Sequence, residues 1–148
     1  MKKMLMIFCF ITFLCALSSL GEEEFNFKII VHDSNTITSL TKEEVAKVFL
    51  KKTKKWKTNN EKIQPVDLVE DSSVRKNFSD RVLDRRISSV KAYWQKQIFS
   101  GRGVPPPEKE TDKHVLEYVQ DHERAIGYIA QDTETGQYSV KIVVIKEN

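Results

Sequence analysis

The chain has few of the residues that carry covalent or metal chemistry. Among its 148 residues the only cysteines are Cys9 and Cys15, and both lie in an N-terminal apolar run. That run reads as a secretory signal. Lys2 and Lys3 supply a positive start, Met4 to Leu17 is apolar, and Ser19 and Gly21 are small where a signal peptidase reads. The expected organisation is a signal over 1–21 and one domain over 22–148. The apolar run is short for a spanning helix, and Glu22, Glu23 and Glu24 follow it at once. Leu14 precedes Cys15 where a lipoprotein signal needs a small residue. Once the signal is removed no cysteine remains, which excludes disulfides and thiolate metal sites, so stability must come from a packed core. The expected location is periplasmic or secreted, with no transmembrane segment after cleavage.

Other absences narrow the function. Loss of Lys2 and Lys3 takes the net charge from +3 to +1. A nucleic-acid binder would show a strong basic excess, so no nucleic-acid partner is expected. There is no His-Glu-X-X-His pattern and no G-x-S-x-G elbow. His114 and His122 fall two turns apart on one expected helix, too far for joint ligation, and His32 is remote in sequence. No metal, no cofactor and no catalytic residue is expected. Pairs such as Asp67 and Glu70 could do acid–base work only in a cleft that brings them together.

What is present reads as a single α/β domain. Phe27 to His32 is a β-branched apolar run, hence a buried strand. Thr41 and Glu44 have capping-box spacing, with Leu40 and Val45 at the hydrophobic-staple positions. Val45, Val48 and Phe49 form the buried stripe of this first helix. Ile63 to Val69 reads as a second strand. Ser72 or Ser73 caps a helix running to Leu83, with Val74, Phe78 and Val82 on one face. Ser88 or Ser89 caps a third, with Val90, Tyr93, Trp94, Gln97 and Ile98 on one side. Gly101, Gly103 and the Pro105–Pro107 run exclude regular structure from Phe99 to Glu110. A fourth helix is expected from about Thr111 to His122, with Val115, Leu116 and Val119 inward. Ile126–Ala130 and Val140–Ile145 close the chain as strands. The expected order is β-α-β-α-α-α-β-β in a three-layer-like domain with a small mixed sheet.

Three local patterns resemble the phosphate-binding proteins that serve bacterial ABC transporters, a type 2 periplasmic binding protein family. SLTKEEVAKVFLKKTKKW resembles their acidic-start helix that ends in a Phe-X-Gly-Lys run and a Trp. PVDLVEDSSVRKNF resembles their strand and Ser-Gly-Thr turn, with a Phe six residues after the Ser. AIGYI at Ala125–Ile129 resembles their Gly-Ala-Ile-Gly-Tyr strand. The order matches over most of segment 22–148. The departures are specific. Lys51 stands where the family has Gly, Ser73 and Val74 where it has Gly and Thr, and Leu68 where a phosphate-contacting Arg is expected. The family's large first segment has no counterpart, so the resemblance implies a short form with one lobe of a two-lobed clamp.

Two readings of Ser72, Ser73, Val74 and Arg75 stay open. The turn is an ordinary N-cap, or its N–H groups and hydroxyls hold phosphate or a similar oxyanion. In the second reading Arg75 replaces the missing positive charge. Glu70 and Asp71 either repel a dianion or accept the proton of a monoprotonated phosphate. The run Lys51, Lys52, Lys54, Lys55, Trp56 and Lys57 reads as a solvated helix end or as a nucleic-acid or acidic-surface contact. Gly101-Arg102-Gly103 reads as a loop or as a close approach to phosphate. The implied function is an exported solute-binding module, binding weakly as an isolated lobe. The alternative is a ligand-free interaction module that meets another envelope protein or a second copy of itself.

Overall fold

In a computed structural model, residues 25–146 are described. The expected signal over 1–21 lies outside them. Eleven elements follow one another: β1 (Phe27–His32), β2 (Ser39–Thr41), α1 (Lys42–Phe49), β3 (Gln64–Pro65), β4 (Asp67–Leu68), α2 (Ser73–Arg81), α3 (Ile87–Phe99), β5 (Glu108–Lys109), α4 (Asp112–Asp121), β6 (Ala125–Ala130) and β7 (Val140–Lys146). Five strands form one mixed sheet in the order β2-β7-β1-β6-β3, and β4 pairs with β5 in a parallel two-stranded ladder. β1 lies antiparallel to both β6 and β7, whereas the edge strands β2 and β3 run parallel to their neighbours. The chain is thus one α/β domain built on a mixed sheet.

Helices cover both faces. Ile29 is paired with Tyr128 and shares its face, and the Tyr128 ring stacks on Phe78 of α2 at 3.9 Å. Phe49 of α1 meets the same two rings edge-on. The other face carries Ile30 and Gly127. There Val115 and Val119 of α4 approach so closely that a Cβ on Gly127 would sit 2.7 Å from Val115. The sheet is therefore the middle of three layers, and β6 is buried from Ala125 to Ile129. Apolar residues on both faces are what a doubly covered strand requires.

Local signals explain the helices. At α1 the capping box forms in full: Thr41 Oγ1 accepts from the Glu44 N–H, and Glu44 accepts from the Thr41 N–H. α4 opens on Thr111, which accepts from the His114 N–H. α1 and α3 end in the same turn. Lys51 and Lys52 donate to Val48 and Lys47, and Gly101 and Arg102 donate to Ile98 and Gln97. This pairing requires a left-handed residue after the helix. Gly101 takes it at φ 66°, and Lys51 takes it at φ 52°.

Four sequence expectations are corrected. The strand expected over Ile63–Val69 is two short strands, because the chain leaves β6 at Val66 and turns to pair with β5. α3 begins at Ile87 after Arg86, which makes no side-chain cap bond, so Ser88 and Ser89 are not its cap. Ile98 is half exposed and not on the inward side. The segment expected to be irregular from Phe99 to Glu110 contains the end of α3 and strand β5. The proline run stands beside β4, where the Pro107 carbonyl accepts from the Asp67 N–H. Proline can serve as such an acceptor because it lacks only the donor.

Candidate functional site

β4 delivers the chain to α2 through the turn Val69–Ser72. Ser72 has extended backbone (φ −62°, ψ 129°) and caps α2, its Oγ accepting from the Arg75 N–H at 3.3 Å. Its own N–H is tied to the Val69 carbonyl at 3.1 Å. The N–H groups of Ser73 and Val74 precede the first intrahelical bond. They have no acceptor among the hydrogen bonds of the described residues. Ser73 is exposed and Val74 half-buried. The Ser72 hydroxyl proton is not used by the cap and stays available as a donor. The turn thus presents two N–H groups and two hydroxyls at the positive end of a helix.

The charges around the turn divide unequally. Glu70 pairs with Lys91 of α3 at 3.0 Å, which offsets its charge. Asp71 is exposed, and Lys76 reaches back to its carbonyl at 3.4 Å. Arg75 points the other way. Its side chain is 4% exposed and its guanidinium is ion-paired with Asp67, itself 5% exposed. The Tyr128 hydroxyl donates to the other Asp67 oxygen, and Arg75 donates to the Tyr128 oxygen at 3.4 Å. The Leu68 N–H completes the carboxylate's partners at 2.9 Å. Burial pushes the Tyr128 hydroxyl up to about 12, against the opposing pull of Arg75. The Arg75 Nε has no hydrogen-bond partner among the described residues.

The structure therefore joins Ser72, Ser73 and Val74 in one open turn and directs the Arg75 side chain away from it, into the core. The sequence reading missed Asp67 and Tyr128 as Arg75's partners. The available signal was Asp67 inside the expected strand Ile63–Val69, between Val66 and Leu68. Leu68 is also buried.

The remaining candidates are dispersed. Trp56 is buried in the core and belongs to no ligand surface. His122 stacks on Tyr118 at 4.1 Å, with its Nδ1 2.7 Å from the Tyr118 carbonyl. His32 lies against Ser34. Among the described residues no group of three His, Cys, Asp or Glu could hold a metal ion, and no helix is long and apolar enough to cross a membrane.

Comparison with known proteins supplies a family. The profile described as PBP superfamily domain matches residues 26–145. Solved structures share the fold. One from Clostridium perfringens, named as a phosphate ABC transporter substrate-binding protein with bound phosphate, superposes with a TM-score of 0.62 at 21% identity, covering 82% of this chain and 44% of that one. PstS from Borrelia burgdorferi gives 0.64 at 15% identity, with 82% and 47% covered. An ABC-type phosphate transport receptor from Vibrio cholerae gives 0.59 at 20% identity, with 80% and 45% covered. The chain spans less than half the length of each. A search of curated proteins gave no match.

Proposed function

The chain belongs to the PBP superfamily domain family, and from that premise we propose that it is an exported solute-binding module holding phosphate or a similar oxyanion at the start of α2. The observation that carries this reading is the open turn: Ser73 and Val74 N–H groups without acceptors beside a Ser72 hydroxyl free to donate. Helix starts of this kind favour anions through the backbone donors and the dipole. Arg75 contributes here through its N–H, which holds Ser72 in place, while its charge stays with Asp67. The proposed role is binding, not catalysis.

The affinity expected of this lobe alone is low. Each hydrogen bond nets about 0.5–1.5 kcal/mol, or about 1.5–3 when charged, and association entropy removes much of the sum. A dissociation constant in the millimolar range, about −4 kcal/mol, follows. Tighter binding requires a second surface over the turn, from another copy or an envelope protein.

The burial of Arg75 and Leu68 favours a second reading, an interaction module without ligand, since neither residue offers a charge to the turn. Calorimetry of phosphate into segment 22–148 separates the two when Ser73→Pro is run alongside. Proline is accepted at the first helical position, and Ser72 already has the extended backbone that must precede it. The substitution removes one N–H and one hydroxyl while leaving the helix. Weak binding that disappears in Ser73→Pro supports the oxyanion reading. No heat at millimolar phosphate, or binding indifferent to Ser73→Pro, supports the second. Light scattering over the same concentrations identifies any self-association.

A further inference from the structure

Two segments without carboxylates meet at one end of the molecule. Val45 to Asn60 contains six lysines and no Asp or Glu, and Ile87 to Pro107 contains Lys91, Lys96 and Arg102 and again no Asp or Glu. They wall a cleft of about 610 Å³ whose lining includes Lys51, Lys52, Lys54, Lys62 and Arg102 and no carboxylate. Its floor is apolar and aromatic, from Ile63, Tyr93 and Trp94. Lys47, Lys57 and Lys91 have acidic partners elsewhere. Among the described residues, none of the five cleft cations is ion-paired. The Lys51 Nζ donates to the Pro105 carbonyl, at 3.2 Å. Burial, then Lys62 and Lys54, holds its pKa below the usual lysine value.

The helix ends do not account for this charge. α1 and α3 both terminate at the cleft, and each contributes about half a negative charge. Two such ends offset roughly one of the five cations, and the surplus stands unneutralised.

Next to the cleft the surface is apolar and protruding. Phe99, the last residue of α3, is 90% exposed, Val104 is 62% and Ile98 is 51%. Gly101 and Gly103, between them, have no atom within 4 Å of where a side chain would begin. The tip is open at Gly101 and Gly103, and it borders the cleft through Gly103 and Val104.

We propose that the end of α3 and the adjoining cleft dock on the surface of an anionic phospholipid bilayer. Ile98, Phe99 and Val104 enter the interfacial layer, and Lys52, Lys54, Lys62 and Arg102 face headgroup phosphates. A bilayer fits better than an acidic protein because Phe99 stands almost fully exposed beside two further exposed apolar residues. An exposed Phe needs either a matching pocket or a deformable medium, and long flexible lysines around it suit a diffuse layer of charge. Apolar insertion beside a basic surface is the usual pairing for peripheral attachment. The surface shares no residue with the Ser72 turn, so its test is independent of phosphate binding.

The test is sedimentation of segment 22–148, which carries every described element and the core, with vesicles of phosphatidylglycerol and phosphatidylcholine at equal proportions or of phosphatidylcholine alone. Binding is expected to the acidic vesicles only, and to fall as salt rises. Phe99→Asp should lower the partition at least about tenfold. The combined Lys52→Glu, Lys54→Glu and Arg102→Glu variant should lower it by at least about a hundredfold, since each basic residue near such a surface contributes roughly a factor of five. Lys113→Glu on α4 should change it little, and circular dichroism should show all variants folded. Equal binding to both vesicle types, binding to neither, or equal loss with Lys113→Glu would overturn the proposal. Capture by immobilised polyglutamate without vesicle binding would overturn it in favour of an acidic protein partner.

Discussion

Arg75→Ala should destabilise the domain far more than a typical surface arginine would. The guanidinium and the Asp67 carboxylate are both almost fully buried, so removing the cation strands an anion in the core. Breaking such a pair from one side typically costs about 3–5 kcal/mol. The Leu68 N–H and the Tyr128 hydroxyl still serve Asp67, which argues for the lower end of that range. Against a total stability usually between about 5 and 15 kcal/mol, this is a large share. The control is the triple replacement D67L/R75M/Y128F, which removes the three polar side chains together and leaves the buried Leu68 N–H without its acceptors. Exchanging a buried ion pair for apolar residues of similar size is often neutral or stabilising. With that N–H costing about 1–3 kcal/mol, the triple variant is expected within about 3 kcal/mol of the parent and above Arg75→Ala. Urea unfolding followed by tryptophan fluorescence measures both, provided the slopes agree. A loss below about 1 kcal/mol for Arg75→Ala, typical of a surface substitution, would mean that its charge is not committed to Asp67. In that event the guanidinium is free to serve an oxyanion at the turn. If the triple variant folds and binds phosphate as the parent does, the charge takes no part in binding.

Gly127→Ala should cost about 1–3 kcal/mol by overpacking, because Val115 and Val66 already lie 2.7 and 2.9 Å from the new methyl group; a thermal shift gives the sign directly. Phe78→Ala should cost about 3–5 kcal/mol by chemical denaturation, since the ring is fully buried against Tyr128 and Phe49. In an alkaline absorbance titration, Tyr128 should ionise near 12. An unfolded Tyr128 loses its proton near 10. Stability is therefore intact below pH 10 and declines as pH rises through about 12, by roughly 2–3 kcal/mol. Alkaline unfolding of Tyr128→Phe should lack this slope.

The features legible in the sequence are those set by neighbours along the chain. The Thr41–Glu44 box, the cap at Ser72, the start of α4 near Thr111 and its inward face each depend on residues within a turn or two, whereas α2 buries Arg75 and Ser79 beside the expected Phe78. β2 could not be read this way. Its three residues are a strand only because Val144–Lys146 lies beside them. β5 depends in the same way on β4. At the site, the Ser72 turn was legible but the fate of Arg75 was not. An arginine beside a capped turn reads as a surface charge. Here it is drawn inward by Asp67, eight residues back, and by Tyr128, 53 residues ahead. Lys51 shows the converse. Its place in a position usual for Gly was visible, and the helix-terminating turn supplies the reason.

The edges of the sheet limit how copies of this domain can meet. β2 offers three residues, and β3 offers two, ending at Pro65, which has no N–H to give. Neither edge presents the unbroken row of backbone donors and acceptors that an incoming strand needs. Growth by strand addition, the common route to fibrils and to peptide capture at sheet borders, is therefore poorly supported at both ends. Assembly across the β2 and β3 edges must therefore be built through side chains, so single substitutions at such a contact should be able to dissolve it.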